Sequence, residues 1–311
     1  MNVLVASGLT DFLHDAVEPQ VQADAIGLGA VFALMAVGIG LVFGVLRLIN
    51  FAYGQLIMAG GFALAYASER GWPVVAGIAL CVGVVVGLSL AMERVVFRPL
   101  RGQSPASMLV ATFAVAFLLQ SIALIWFGPL GKNAASLVEL NQPLSIGSVE
   151  VRKIAVVSLV TAAVALALLL LLLNRTSIGL HMRAAALDFP TARLVGVRAN
   201  AVSAVAVVLA GLLAAIVAVL LTVQFPTVTP TFALNETIIV LAGVVVGGMN
   251  RLLPATLGGF AIGYVSGILG GALPTNQSQY LSTFLFLLVI VVLLLRPEGL
   301  FTRGGHAVER V

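Results

Sequence analysis

Seven long runs of this chain carry no charged side chain: Ala25–Leu46, Leu48–Ser68, Gly71–Met92, Gly102–Gly131, Ile154–Asn174, Ala199–Asn235 and Leu252–Leu295. About 20 apolar residues suffice to cross a bilayer core, so each run predicts a transmembrane helix. The last two are long enough for more than one crossing each. They divide at polar, Pro-containing centres, Gln224-Phe-Pro-Thr-Val-Thr-Pro-Thr231 and Pro274-Thr-Asn-Gln-Ser-Gln-Tyr280. The predicted segments are then 25–46, 51–68, 73–92, 105–127, 154–173, 201–222, 233–249, 254–272 and 279–295. The Gly-rich stretch 48–62 leaves two arrangements open: it enters and leaves on one side, or it crosses as a full helix with the residues up to Ser68.

Composition places the whole chain in the membrane class. It is 61% hydrophobic and 9% charged, with a mean hydropathy of +1.15, far outside the range of soluble domains. The expected fold class is an all-α polytopic membrane protein of about 8–9 transmembrane segments, forming one domain over residues 1–311. Lys and Arg gather in short cytoplasmic loops. With the amino terminus outside and every segment crossing, 12 of the 16 Lys and Arg fall inside, including Arg47, Arg94, Arg98, Arg101, Arg175, Arg183, Arg193, Arg198 and Arg251; only Arg70, Lys132, Arg152 and Lys153 fall outside. This predicts an outer amino terminus and a cytoplasmic carboxyl terminus. Residues 1–24 hold Asp11, Asp15, Glu18 and Asp24 without Lys or Arg, and lack the basic start of a cleavable signal peptide. The high pI follows from the inside bias and does not call for a nucleic-acid partner.

Several chemistries find no residues. Cys81 is the single cysteine, and His14, His181 and His306 lie far apart, so no disulfide and no metal site is expected. The nearest approach to a phosphate-binding loop, Gly128-Pro-Leu-Gly131-Lys132, has the wrong spacing. Ionisable groups within spans are costly and kept for a use; the one candidate is Glu236, near the start of a short span. It reads either as a first-turn carboxylate at the outer interface or as a group facing a polar path. Glycines cluster at Gly54, Gly60 and Gly61 and at Gly243, Gly247, Gly248, Gly258 and Gly259, where they would let helices approach closely. Arg47 to Phe62 and Gly247 to Phe260 each place an Asn and an Arg ahead of Gly-Gly-Phe, the kind of paired interruption that repeat-built transporters show around a central path.

The loop of residues 174–200 is basic and looks structured. Pro190 disfavours helix at Phe189, which predicts two short helices: one near Leu180–Leu187, and one capped by Asp188 that ends before Gly196 as a left-handed cap. Ala184, Ala185, Ala186 and Ala192 would let another surface come close, ringed by Arg183, Arg193 and Arg198. The plainer alternative is a set of arginines that touch lipid phosphates.

Arg183-Ala-Ala-Ala-Leu-Asp188 followed by Ala192-Arg-Leu-Val-Gly-Val197 resembles the divergent EAA-type coupling loop of ABC importer permeases. Ile49-Asn-Phe-Ala-Tyr-Gly-Gln55 resembles the Ile-Asn-Phe-Ala-His-Gly-acidic signature of the branched-chain amino acid (HAAT) permease family, in its LivH-like branch. Gly247-Gly-Met-Asn-Arg-Leu-Leu-Pro-Ala-Thr-Leu-Gly-Gly259 and Arg296-Pro-Glu-Gly-Leu-Phe301 are similar to that family's late Gly-Gly…Leu-Gly-Gly and closing Arg-Pro-x-Gly-Leu-Phe segments. Tyr53, Gln55 and Ala255 depart from the family's His, acid and Gly.

The resemblance implies a permease subunit of an ABC importer in a bacterial inner membrane, with a short cytoplasmic coupling helix pair. It moves a small polar solute, in the first place branched-chain amino acids, with urea or short amides as the alternative. Its implied partners are a second, LivM-like permease, two cytosolic ATPase subunits that hydrolyse the ATP, and a periplasmic binding protein; no cofactor is implied. By position, Arg183, Ala184, Ala185, Asp188 and Gly196 would serve coupling, and Asn50, Gln55 and Glu236 the translocation path. An ion-coupled carrier, the other alternative, would need titrating groups in its spans, and apart from Glu236 these are nearly absent; an intramembrane enzyme would need a nucleophile, base or metal set, and no span holds a His or paired carboxylates.

Overall fold

A computed structural model describes residues 14, 16–100, 102–146, 149–187, 189–194, 196–249, 251–273, 278–296 and 299–300. It is an all-α membrane protein. The long helices are α1 (Pro19–Leu46), α2 (Tyr53–Glu69), α3 (Val74–Met92), α4 (Pro105–Phe127) and α5 (Lys153–Arg175). Two short helices, α6 (Ser177–Leu187) and α7 (Phe189–Leu194), precede α8 (Ala199–Gln224), α9 (Leu234–Gly247), α10 (Leu252–Ala272) and α11 (Leu281–Leu295). Each segment expected from hydropathy has its helix. Six of the helices, with α3 extended to Leu100, are long and apolar enough to cross a membrane, whereas α2, α9 and α11 have 17, 14 and 15 residues.

Within 48–62 the chain is non-helical to Ala52 and helical from Tyr53. α2 runs unbroken from Tyr53 to Glu69, where Glu69 pairs with Lys132 at 2.9 Å. Lys132 in turn lies in a two-residue strand, β1 (Lys132–Asn133), that pairs antiparallel with β4 (Thr227–Val228). The same end of the bundle holds a hairpin of β2 (Pro143–Ile146) and β3 (Val149–Arg152), with Pro143 opposite Arg152. Arg152 grips Asp24 at the start of α1 through two contacts of 2.9 and 2.8 Å. At the opposite end, Arg47 reaches α6, and the Leu300 amide donates to the Val246 carbonyl at 2.8 Å. Successive long helices therefore run in alternating directions between two ends, one acidic-rimmed and one carrying the Arg-rich loop.

α1 is the axis of the bundle. Its residues from Ala30 to Val42 are buried, and it packs against α5, α8, α9 and α10. A helix apolar all round has no polar face to show water. α4 and α5 make the opposite choice: Val110, Phe117, Leu118, Ile125, Trp126, Val160 and Leu168 are exposed, an apolar surface suited to lipid or to a partner helix. Close approach of α1 to α10 depends on missing side chains: a Cβ on Gly267 would stand 2.5 Å from the Ala25 Cα, and one on Gly263 would stand 2.9 Å from the Gly29 Cα.

Two breaks in the helices correspond to the paired interruptions of the sequence. α1 ends at Arg47 with φ 54°, and α9 ends at Gly248 with φ 110°. Both ends close with an amide-to-carbonyl bond, Arg47 to Phe43 at 2.8 Å and Gly248 to Val244 at 3.0 Å, and the next helix then starts within a few residues. Non-helical backbone at membrane depth needs internal partners. In the first break Asn50 Oδ1 accepts from the Ala52 amide at 3.0 Å, and Thr112 Oγ1 on α4 accepts from the Phe51 amide at 3.4 Å. Asn250, in the second, is outside the described residues.

Candidate functional site

The Arg-rich loop is a pair of helices built by local rules. Thr176 caps α6, its Oγ1 accepting from the Gly179 amide at 3.1 Å. Gly179 sits where α6 turns back on α5, and a Cβ there would come 2.5 Å from the Leu172 carbonyl oxygen. α6 starts at Ser177, a turn earlier than the sequence suggests, because this cap precedes Leu180. After α7, Gly196 has φ +90°, and the Val197 amide donates to the Ala192 carbonyl at 3.0 Å. That is the Schellman closure that a left-handed glycine permits.

The candidate coupling residues do not all face the same way. Arg183 is exposed and its Nη1 lies 3.4 Å from Asn174 Oδ1. Gly196 is exposed with nothing within 4 Å of a would-be Cβ. Ala184 is half-buried, whereas Ala185 and Ala192 are buried at 4% and 5% exposure. Ala185 is thus a packing residue of the loop and presents no surface to a partner. Alanine's small size served this chain's own interior, with Met182 buried beside it. Asp188 is outside the described residues.

One contact of this loop was not read from the sequence. Arg47 Nη2 donates to the Ala186 carbonyl at 2.9 Å across 139 positions. That carbonyl lies in the last turn of α6, where helix carbonyls lack intrahelical donors. The end of the axial helix α1 is therefore tied to the loop. A cavity of about 240 Å3 lies next to this contact, lined by Gly40, Val45, Arg47, Met182, Ala186 and Leu252 among others.

A larger cavity of about 500 Å3 opens at the opposite end, between α1, α5, α8, α9, α10 and α11. Asp24 and Arg152 line its rim; Gln224, Glu236 and Ser266 add polar groups; Leu28, Phe32, Ile154, Ile239 and Leu281 make its apolar wall. Along α1 it reaches from Val21 to Phe32, roughly 16 Å at 1.5 Å per residue. Below it α1 is buried from Ala33 to Ile39, and the Tyr53 ring covers Gly38. This stretch of α1 lies between the two cavities, and its Ala33, Leu34 and Val37 line a third, of about 190 Å3, against α5 and α10.

The three candidate path residues lie apart. Glu236 lines the larger cavity. Asn50, 4% exposed, holds the backbone of the first break. Gln55 is fully buried, and neither its amide oxygen nor its nitrogen has a partner. The Tyr53 hydroxyl, two residues before, is also buried and unpartnered. Buried polar atoms are nearly always satisfied, so this pair stands out. Cys81 is buried and free, and among the described residues no group of His, Cys, Asp and Glu is placed to hold a metal ion.

Residues 22–294 match the family described as branched-chain amino acid transport system, permease component. The chain belongs to this family. Its relatives include the high-affinity branched-chain amino acid transport system permease protein BraD of Pseudomonas aeruginosa, 28% identical over 304 residues covering 94% of this chain and 97% of the relative. The corresponding LivH protein of Escherichia coli K12 is 26% identical over 306 residues, covering 94% and 97%. A probable LivH of Methanocaldococcus jannaschii is 26% identical over 301 residues, covering 93% and 94%. Among solved structures, PsaBC from Streptococcus pneumoniae in complex with Fab matches with a TM-score of 0.50 at 12% identity, covering 93% of this chain and 97% of that one, a likeness of fold alone. Membership of the permease family makes the chain a transport permease, and the Ile49–Gln55 and Gly247–Gly259 segments fall inside the matched region.

Proposed function

We propose that this permease is one membrane subunit of an ABC importer that brings branched-chain amino acids into the cytoplasm. The family match over 22–294 carries the reading, and the relatives' names supply the solute class. The proposed orientation puts the Asp24 end outside and the Arg-rich loop in the cytoplasm, in keeping with the positive-inside rule. A second, similar permease, two cytosolic ATPases and a periplasmic binding protein complete the proposed assembly.

The two cavities suit alternating access. Solute enters the outer cavity while the layer of Ala33–Ile39 and Tyr53 is shut; ATP binding and hydrolysis move α6 and α7; the movement reaches α1 through Arg47. A ligand or nucleotide shifts such an equilibrium only through different contacts in the two states, and the Arg47–Ala186 bond is a contact that moving the loop would make or break. Gln55 and Tyr53 find polar partners once the layer opens, which accounts for their unpartnered atoms here. Asn50 holds the break that α2 pivots on.

The test is co-purification of the permease with its ATPase, for the native loop and for a variant with Arg183, Asp188 and Gly196 replaced together. Loss of the ATPase in the variant alone supports coupling through this loop. Absence of the ATPase from both forms would return the chain to the carriers that work without one.

A further inference from the structure

The outer cavity holds three ionisable side chains, and two of them satisfy each other. Asp24 and Arg152 face one another through paired contacts of 2.9 and 2.8 Å. Glu236 is left: it is partly buried in the wall, and among the described residues no ion pair reaches it. A partly buried carboxylate without a cation is costly, and among the described residues that line the cavity Arg152 is the one cation. The volume of about 500 Å3 lies within the range of small-molecule sites. The rest of the lining includes the apolar Leu28, Phe32, Ile239 and Leu281.

We propose that this cavity is a seat for a zwitterionic amino acid, in which Glu236 binds the ammonium group, the Arg152 Nη1, which makes neither of the Asp24 contacts, donates to the carboxylate, and the apolar lining takes an aliphatic side chain. The assignment rests on the importer reading and sharpens it. Urea and neutral amides bring no charge to Glu236, so they would leave its carboxylate desolvated and unpaired, the situation by which binding sites reject near-isosteres. An amino acid brings a cation to Glu236 and, in the same molecule, an acceptor for the remaining Arg152 donor. Glu236 is thereby the residue that separates amino acids from amides within one permease architecture.

The test uses the assembled complex in lipid nanodiscs, without the binding protein, and radiolabelled leucine. Isoamylamine carries the ammonium alone, isocaproate the carboxylate alone, and isocaproamide and urea neither. Leucine should bind, with isoamylamine competing better than isocaproamide or urea. Glu236→Gln should weaken leucine and isoamylamine by about tenfold to a hundredfold, the range for a hydrogen bond between charged groups, and leave isocaproate unchanged; Glu236→Asp should retain part of the leucine affinity. Unchanged leucine affinity in Glu236→Gln, equal competition by the neutral compounds, or no leucine binding to the native complex would each overturn the assignment. Equal thermal midpoints and equal ATPase recovery establish that the variants are folded. ATP-driven leucine uptake by the native complex with its binding protein separates the two ideas: if uptake persists while the binding results fail, only the seat is wrong, and if uptake is absent the importer reading itself fails.

Discussion

Removing the Arg47 side chain tests whether α1 and the Arg-rich loop move together. Arg47 contributes in two opposed ways. Its guanidinium donates to the Ala186 carbonyl at 2.9 Å, a bond worth about 1 kcal/mol at an exposed position. Its backbone has φ 54°, a left-handed conformation that costs a non-glycine residue roughly 1–2 kcal/mol. Arg47→Ala keeps the strained backbone and loses the bond, so the thermal midpoint should fall. Arg47→Gly loses the same bond but relieves the strain, and its midpoint should match or exceed the native one. If the bond differs between the two states of the transporter, losing about 1 kcal/mol shifts their ratio about fivefold. Solute moved per ATP hydrolysed, measured in proteoliposomes, should therefore drop several-fold in both variants despite their different stabilities. Native coupling in both would show that the contact is only structural, and a drop confined to the less stable Arg47→Ala would show that stability, not transmission, was being read.

Two further outcomes follow from the backbone. Gly196→Pro sets a fixed negative φ of about −65° at a position of +90°, and it should abolish solute-coupled ATPase activity while the protein still inserts; normal uptake would remove Gly196 from coupling. Gly267→Leu places atoms against Ala25, where even a Cβ would stand 2.5 Å from the Cα, and should cost about 1–3 kcal/mol by overpacking, read as a lower melting midpoint in detergent. Gly87→Leu, with nothing within 4 Å of its would-be Cβ, is the control, and equal midpoints for the two would refute the close packing of α1 on α10.

Hydropathy carried most of the fold. A span in lipid must be both apolar and long, so charge-free runs such as those within the helices Pro105–Phe127 and Lys153–Arg175 show their length directly. Strands of two to four residues such as Lys132–Asn133 and Pro143–Ile146 are too short for a period-two pattern, and they were not anticipated. The two helices of the loop were legible because Pro190 and Gly196 are punctuation with a mechanism. The facing of Ala185 was not, since an alanine suits a buried packing site and an interface equally well. Arg47 to Ala186 and Asp24 to Arg152 join positions 139 and 128 apart, and no local pattern reports such pairs. Glu236 stood out as a carboxylate in an apolar run, but only the packing of six helices around it showed the cavity it lines.

The most direct measurement is uptake of radiolabelled leucine into proteoliposomes that hold this permease, its partner permease and the ATPases, with the binding protein added outside. Uptake that requires both ATP and the binding protein, and that is lost when Arg183, Asp188 and Gly196 are replaced together, is the predicted result. Uptake that proceeds without ATP, or that is indifferent to the loop, would contradict an ATP-driven importer coupled through α6 and α7.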